Sequence, residues 1–274
     1  YRLYYGRLLV LYGISLVRAK HHAGSIETLK EAAAIFEDLK EYKYLPQVYN
    51  GVGTCYTELY NDYVKAKEYY EKGISISLKI NNQRYAQIIY NNIAEIYREQ
   101  DEYSKALEYY KQSAEVAKVI QRKYSEMLVE LNMALLRTAM EDYYNAISSL
   151  NYCNAIISEN KDLGDISRYL FEFEAEYYYR VGYFELSKCY AQKSVDMCTT
   201  WGIPVSKDSL LFRRLSENRL TGELDYRRDM ELCVDIFHDN LFKLGRVACL
   251  QLAEIYLEKG RLEDAREFLS LGLK

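Results

Sequence analysis

The sequence has very few of the residues that break helices or form tight turns. Its 274 residues include two prolines and thirteen glycines. Tight β-turns depend on these residues, whereas long helices exclude proline and use glycine sparingly. Hydrophobic residues make up 49% and charged residues 28% of the chain, which is enough apolar surface to offset the entropy lost on folding. The composition therefore predicts an ordered, all-α protein.

Histidine is also scarce, which limits the chemistry that the chain can perform. His21 and His22 are adjacent and His238 is isolated, so no set matches a metal cage or a catalytic triad. The segment Asn50–Gly53 has two glycines but no Gly-Lys-Ser/Thr sequence of a phosphate loop, and we expect Gly53 to lie at a helix crossing. No pair of carboxylates stands out as acid and base. We expect a protein that is not an enzyme, with no metal and no cofactor.

Long apolar runs and cysteine motifs are absent as well. The longest apolar stretch, Leu8–Val17, has ten residues, whereas a membrane-spanning helix needs about 20. No small-residue cleavage pattern of a secretory signal follows it. The six cysteines show no Cys-x-x-Cys spacing, which is typical of small core residues in a reducing compartment. These absences predict a cytoplasmic protein without membrane contact.

The balance of charge gives no general attraction to nucleic acid. The formal net charge is −4, so direct binding to a phosphate backbone is not expected. One stretch, 207–228, holds six basic against four acidic residues, a local balance of +2. We expect this stretch to form a solvated helix face. Its basic residues are Lys207, Arg213, Arg214, Arg219, Arg227 and Arg228.

What the chain does contain is an internal repeat with a period near 40 residues. The segment NNIAEIYREQDEYSKALEYY, Asn91–Tyr110, recurs in outline as LQLAEIYLEKGRLEDAREFL, Leu250–Leu269. Each copy is two helix-period segments joined by a short polar turn, and the apolar face left over is covered only by the next copy. The paired small residues of the copies are Gly53 with Ala66, Ala94 with Ala106, Ala134 with Ala146, Ala175 with Ser187, and Ala253 with Ala265.

This pattern resembles the tetratricopeptide repeat (TPR) family, in which a small residue, an aromatic three residues later and an alanine twelve residues later mark each hairpin. The long repeats resemble those of bacterial peptide-sensing regulators and kinesin light chains. The resemblance implies an all-α, right-handed α-α superhelix, a TPR solenoid of about seven helical hairpins. It implies a single repeat domain over 1–274, which we expect to be a fragment of a longer protein. The hairpins are expected at 3–42, 45–81, 83–121, 123–160, 163–201, 205–240 and 242–274.

The resemblance also implies where a partner binds. In this family the first helices of the hairpins line a concave surface, with contact positions three residues before the first small residue, one after it and four after it. These positions are four and then three residues apart, a spacing that places each set on one helix face independently of the resemblance. The positions are Asn50, Thr54 and Thr57; Asn91, Glu95 and Arg98; Leu131, Leu135 and Thr138; Glu172, Glu176 and Tyr179; and Leu250, Glu254 and Leu257.

Two features of these positions bear on the ligand. Asn50 and Asn91 are equivalent in adjacent repeats, and a carboxamide donates and accepts at once, as gripping an extended peptide requires. An ordinary polar surface is an equally good interpretation of both. The glutamates at positions 95, 172, 176 and 254 make the mapped groove acidic, which favours a basic peptide carrying Lys or Arg.

We therefore predict a module that binds a protein or peptide and serves as the sensory or regulatory part of a larger cytoplasmic signalling protein. A passive assembly scaffold for a multiprotein complex is the alternative. An enzyme with an unrecognised site is a third hypothesis. The partner, the flanking domains and the oligomeric state are left open by the sequence.

Overall fold

A computed structural model describes residues 1–18, 24–160, 166–239 and 241–273. Across these ranges the regular structure is helical, and no β-strand occurs in them, which confirms the all-α prediction. None of the helices in the described ranges has both the length and the apolar character needed to cross a membrane. The chain divides into two compact units, Tyr1–Leu136 and Arg137–Lys274. His21 and His22 lie outside the described residues.

The first unit consists of consecutive antiparallel helices that pack against their neighbours in chain order. We call α1, α3, α5 and α7 its first helices and α2, α4 and α6 its second helices. A 3-10 turn at Tyr42–Tyr44 precedes α3. The helices are α1 (Arg2–Arg18), α2 (Ser25–Asp38), α3 (Leu45–Tyr60), α4 (Tyr63–Lys79), α5 (Gln83–Glu99), α6 (Tyr103–Val119) and α7 (Lys123–Ala139), whose last turn lies in the second unit.

The second unit repeats the same arrangement. Its first helices are α9, α11 and α13, and its second helices are α8, α10, α12 and α14. Successive first helices α9, α11 and α13 contact one another. The helices are α8 (Tyr143–Glu159), α9 (Ser167–Arg180), α10 (Phe184–Trp201), α11 (Lys207–Thr221), α12 (Tyr226–His238), α13 (Phe242–Glu258) and α14 (Leu262–Gly272).

The helices end at turns whose spacing explains the long repeat. From Asn61 to Glu141, left-handed residues close successive helices every 20 residues, so two helices and two turns occupy 40 residues. Asp62 and Asn82 then cap the next helices, their side chains accepting from the backbone N–H of Lys65 and Tyr85. The left-handed residues are Asn61 (φ 50°), Asn81 (φ 53°), Asp101 (φ 58°), Gln121 (φ 53°) and Glu141 (φ 61°).

Small residues lie where paired helices cross, as the repeat predicted. Ala66, Ala94 and Ala106 are fully or almost fully buried. A Cβ placed on Gly53 would come within 2.4 Å of the Tyr70 ring, which lies in the next helix. Any larger side chain at this crossing would force α3 and α4 apart. Gly53 is therefore a packing residue, and no phosphate loop forms there.

The abundant tyrosines tie the two helices of a hairpin together. In three hairpins a tyrosine of the first helix stacks on a tyrosine of the second, and a lysine lies over the pair, such as Lys105 over Tyr97 at 5.3 Å. Such pairs stabilise beyond the area they bury. They are Tyr56–Tyr69 (5.6 Å between centroids), Tyr97–Tyr109 (5.4 Å) and Tyr178–Tyr190 (5.3 Å).

The α11–α12 segment, which lacks the repeat signature, has a polar core instead of a small-residue crossing. The fully buried carboxylate of Asp229 accepts from Arg214 Nε at 2.5 Å and from Tyr256 at 2.8 Å. Asn218 Nδ2 donates to it at 3.1 Å. The expectation of a solvated basic face was therefore wrong for Arg214, whose side chain is only 11% exposed, because a balance of charges along the chain does not show which ones pair inside.

Candidate functional site

In the first unit, six of the mapped positions lie on the same half-buried face of the first helices α3 and α5, whereas the mapped Leu131 of α7 is fully buried. Asn50, Thr54 and Thr57 belong to α3, and Asn91, Glu95 and Arg98 belong to α5. All six are partly exposed. The structure thus brings these residues onto one surface of the first unit, where they are held by the packed helices below them.

The asparagines of this face are linked across successive first helices. Asn92 Nδ2 donates to Asn50 Oδ1 at 2.9 Å, which joins α5 to α3. Asn132 Nδ2 donates to Asn91 Oδ1 at 3.2 Å, which joins α7 to α5. Sequence reasoning missed Asn92 and Asn132, although both follow the mapped positions by one residue. Each pair uses one acceptor and one donor, so a donor on one amide and an acceptor on the other stay available.

The threonines are committed to the helix that carries them. The Thr54 hydroxyl donates to the carbonyl of Asn50 at 3.0 Å, and the Thr57 hydroxyl donates to the carbonyl of Thr54 at 2.9 Å. The Thr54 oxygen also lies 3.3 Å from the Tyr70 hydroxyl. Both hydroxyl groups therefore donate within α3, and these side chains contribute to the surface mainly by their shape.

Every mapped glutamate is paired with an arginine. Glu95 lies 2.9 Å from Arg98 and also accepts from Tyr110. The distances from glutamate oxygen to arginine nitrogen in the second unit are 2.7 Å for Glu172–Arg168, 2.8 Å for Glu176–Arg180 and 3.4 Å for Glu254–Arg219. The mapped carboxylates therefore carry their own counter-ions, which a count of glutamates in the sequence did not include.

Glu172 is also largely removed from solvent. It is 6% exposed, and its carboxylate accepts from the Ser194 hydroxyl at 3.3 Å as well as from Arg168. Burial raises the pKa of Glu172 above its usual range even though Arg168 acts in the opposite direction. Its position in α9 thus holds α9 to α10 and offers little surface to a ligand.

Two further mapped residues of the second unit, Tyr179 and Glu254, line one cleft of about 260 Å³. Of the others, Leu250 and Leu257 are exposed and Thr138 is buried. The cleft lies among α9, α11 and α13. Aromatic rings form much of its wall, and Glu254 lies at its edge with its side chain 55% exposed. The lining residues are Tyr143, Tyr179, Arg180, Gly182, Phe184, Phe212, Arg219, Val247, Gln251 and Glu254.

Arg219 lies in the wall of this cleft, and the sequence did not single it out as functional. Its guanidinium pairs with Glu254 and with Glu258 across to α13, and it lies 5.9 Å from the centre of the Phe184 ring. The Tyr179 hydroxyl lies beside it, and burial raises the pKa of Tyr179 although Arg219 opposes this rise. The sequence feature that points to Arg219 is the basic stretch 207–228, but its charge balance predicts a solvated face, whereas the Arg219 side chain is only 16% exposed.

A second buried acid, Glu174, lies on the opposite side of α9. It is 2% exposed; Asn154 Nδ2 of α8 donates to one of its oxygens at 2.8 Å, and the other oxygen has no hydrogen-bond partner among the described residues. Burial raises the pKa of Glu174 to about 7, which Asn154 and Lys193 counteract only in part. Within the described ranges, no group of three or more His, Cys, Asp or Glu residues is arranged to hold a metal ion.

These features define a helical-repeat protein of the tetratricopeptide type, and a model of that repeat matches residues 247–274. The model of the family described as soluble NSF attachment protein, SNAP, matches residues 16–163, more than half of the chain. The chain therefore belongs to the SNAP family. No curated protein matches its sequence.

Solved structures with low sequence identity share the fold. The apo form of RapI superposes with a TM-score of 0.80 at 13% identity, covering 98% of this chain and 96% of that one. Aspartyl phosphate phosphatase F from Bacillus subtilis gives 0.80 at 14% identity, covering 98% and 70%. The Rap conjugation gene regulator of the plasmid pLS20, in complex with the Phr* peptide, gives 0.75 at 12% identity, covering 97% and 72%. The fold expected from the repeat pattern is confirmed.

Proposed function

We propose that this chain is a peptide- or protein-binding module, and that the first helices of each unit carry its binding face. It acts as the sensory or regulatory part of a cytoplasmic signalling protein and catalyses no reaction. The fold supports this because, within each unit, successive first helices lie side by side and form a common face. A similar fold binds the Phr* peptide in the plasmid pLS20 regulator.

The observation that carries the proposal is the pair of asparagine bridges on α3, α5 and α7. Within the described residues, the bridges leave Asn50 Nδ2 and Asn92 Oδ1, and likewise Asn91 Nδ2 and Asn132 Oδ1, without another hydrogen-bond partner. A peptide backbone offers one donor and one acceptor per residue. Each bridge can therefore pair with one residue of an extended ligand while it keeps its own inter-helix bond.

The experiment is an affinity selection from a random pool of acetylated, amidated heptapeptides. Peptides retained by the protein through gel filtration are counted by mass spectrometry. We expect Asn91→Ala to reduce retention about three- to tenfold, the effect of one hydrogen bond. Asn151→Ala, on the exposed surface of the second helix α8, is the matched control and is expected to retain wild-type binding. Equal retention by both variants and the wild type would contradict the proposal.

The alternative function is that of a passive assembly scaffold. The SNAP family match favours it, because the name of that family describes attachment proteins. The two functions differ in response: a regulatory module changes its radius of gyration when a selected peptide binds, and a scaffold does not. Small-angle scattering with and without the retained peptides distinguishes them.

A further inference from the structure

The cleft of the second unit has a size that fits one residue of a ligand. Its volume of about 260 Å³ lies below the ~300–1,000 Å³ of sites that enclose drug-sized molecules. The rings of Phe184 and Phe212 lie 5.4 and 5.7 Å from the ring of Tyr179. The three rings form a continuous apolar wall on one side of the cleft.

Each charged group of the cleft already has an ion-pair partner, although Arg219 shares its single charge between two carboxylates. Arg219 pairs with Glu254 and Glu258, and Arg180 pairs with Glu176 at 2.8 Å. A cationic ligand group would compete with Arg219 for its carboxylates, and an anionic group would compete with these carboxylates for Arg219. Because the loss of such a pair is costly in a partly desolvated site, the cleft favours an uncharged group.

Two buried polar atoms at the cleft form no hydrogen bond of normal geometry with a described residue, although the Arg219 guanidinium lies close enough to the Tyr179 hydroxyl to oppose the rise of its pKa. They are the hydroxyl of Tyr179 and Nε of Arg219, and both are buried. Tyr179 as a whole is 6% exposed. Unpaired buried donors destabilise a protein, and a carbonyl oxygen of a ligand would supply the acceptor that both lack. Side chains at the cleft must shift slightly to admit it, as is common on binding.

We propose that this cleft binds an uncharged aromatic or aliphatic side chain of a peptide, with the main-chain carbonyl of that residue accepting from Tyr179 and Arg219. The proposal rests on the proposed function, and it names the residue class that the second unit selects. It also differs from the sequence-based expectation of a basic ligand, because the aromatic rings, and not the paired carboxylates, form the contact surface.

The test uses the tripeptide Ac-Gly-Phe-Gly-NH2 carrying a para-fluorinated ring, followed by fluorine NMR line broadening. Ac-Gly-Arg-Gly-NH2 and Ac-Gly-Glu-Gly-NH2 serve as competitors. We expect the phenylalanine peptide to bind at least about fivefold more tightly than either charged peptide. Tighter binding of the arginine peptide, or binding of none of the three, would overturn the proposal.

Variants then locate the binding. Val247→Phe fills the cleft from α13 and is expected to abolish broadening, whereas Val234→Phe makes the same change on α12, outside the cleft, and is expected to leave it intact. Tyr179→Phe removes only the hydroxyl and is expected to weaken binding about three- to tenfold without lowering the thermal midpoint of the free protein. Broadening that survives Val247→Phe, or unchanged affinity of Tyr179→Phe, would contradict the assigned contacts.

A failure of the cleft assignment can be distinguished from a failure of the proposed function. If heptapeptides are retained in an Asn91-dependent manner but the tripeptide does not bind, only the assignment of this cleft fails. If neither binds, both proposals fail.

Discussion

The guanidinium of Arg98 lies 2.9 Å from the carboxylate of Glu95, one turn earlier on the same helix α5. Arg98 also pairs with Glu99 at 2.7 Å. Burial opposes the charge on Arg98, but these carboxylates more than offset it and raise the pKa of Arg98 above its usual value. Arg98 therefore keeps its charge, and Glu95 has a counter-ion on its own helix, which it shares with Glu99.

Removal of the arginine should therefore create the acidic surface that the sequence suggested. In Arg98→Gln, Glu95 loses its counter-ion, and we expect Lys- and Arg-containing heptapeptides to be enriched about three- to tenfold among those retained. Arg84→Gln, an exposed arginine at the start of α5, changes the net charge equally and is the control. An unchanged peptide composition in Arg98→Gln would show that ligands do not contact Glu95.

The crossing at Gly53 should tolerate no methyl group. Alanine in a helix interior normally stabilises by about 1 kcal/mol relative to glycine, but here its Cβ would overlap the Tyr70 ring. Overpacking of this kind costs about 1–3 kcal/mol, so Gly53→Ala should lower the free energy of unfolding. Urea denaturation measures the change. A Tyr70→Leu background should reduce the penalty, since it removes the overlap; an unaltered penalty there would argue against the crossing as its cause.

Glu174 should make stability depend on pH between about 4.5 and 7. Its pKa is about 7 in the folded protein and 4.5 ordinarily, so in this window the folded state keeps a proton that the unfolded chain has released. The free energy of unfolding therefore falls as pH rises through the window, by up to about 3 kcal/mol, and stays low above it. Below pH 4.5 Glu174 is protonated in both the folded and the unfolded state, so it no longer makes stability depend on pH.

The comparison of variants isolates this term. Glu174→Gln should make the decrease smaller and leave only the part that other groups such as Glu172 contribute, whereas Glu185→Gln, exposed on α10, should show the wild-type slope. Denaturant titrations at pH 4.5, 5.5, 6.5 and 7.5 provide the measurement. Parallel slopes for wild type and Glu174→Gln would mean that Glu174 ionises normally in the folded protein.

The polar core around Asp229 should be sensitive to loss of one partner and tolerant of loss of the whole pair. Asp229→Ala leaves Arg214 buried without its counter-ion, and we expect a loss of about 3–5 kcal/mol. The double change of Arg214→Met with Asp229→Ala should destabilise less, because no charge remains buried. Asp235→Ala on α12, whose own side chain is 67% exposed in its pair with Lys207, should cost at most about 1 kcal/mol. Thermal unfolding ranks the three; a double variant less stable than Asp229→Ala would contradict this account.

The sequence predicted the features that repeat. Ala94 and Ala106 recur at fixed spacing because helix crossings need small residues, and that requirement is local enough to be visible in one chain. The side-chain hydrogen bonds between repeats could not be predicted from the sequence. Asn92 and Asn132 donate to residues 42 and 41 positions earlier. The sequence alone does not show that Asn92 forms such a bond as a donor whereas the adjacent Asn91 accepts one.

Charge pairing was the other feature that sequence alone could not supply. Arg219 reaches Glu254 and Glu258 across 35 and 39 positions, as their numbering shows, and Arg214 is buried against Asp229. Counting charges along a segment treats each as exposed. The α11–α12 segment departs from the repeat signature because its helices meet through this polar core, so the signature could not mark it.

Amide hydrogen exchange with and without a retained heptapeptide tests the central claim most directly. The account predicts slower exchange, on ligand addition, along the first helices α3 and α5 or α9, α11 and α13, with little change along the second helices α4, α6 and α10. Protection confined to the second helices, or no protection anywhere at saturating peptide, would contradict it.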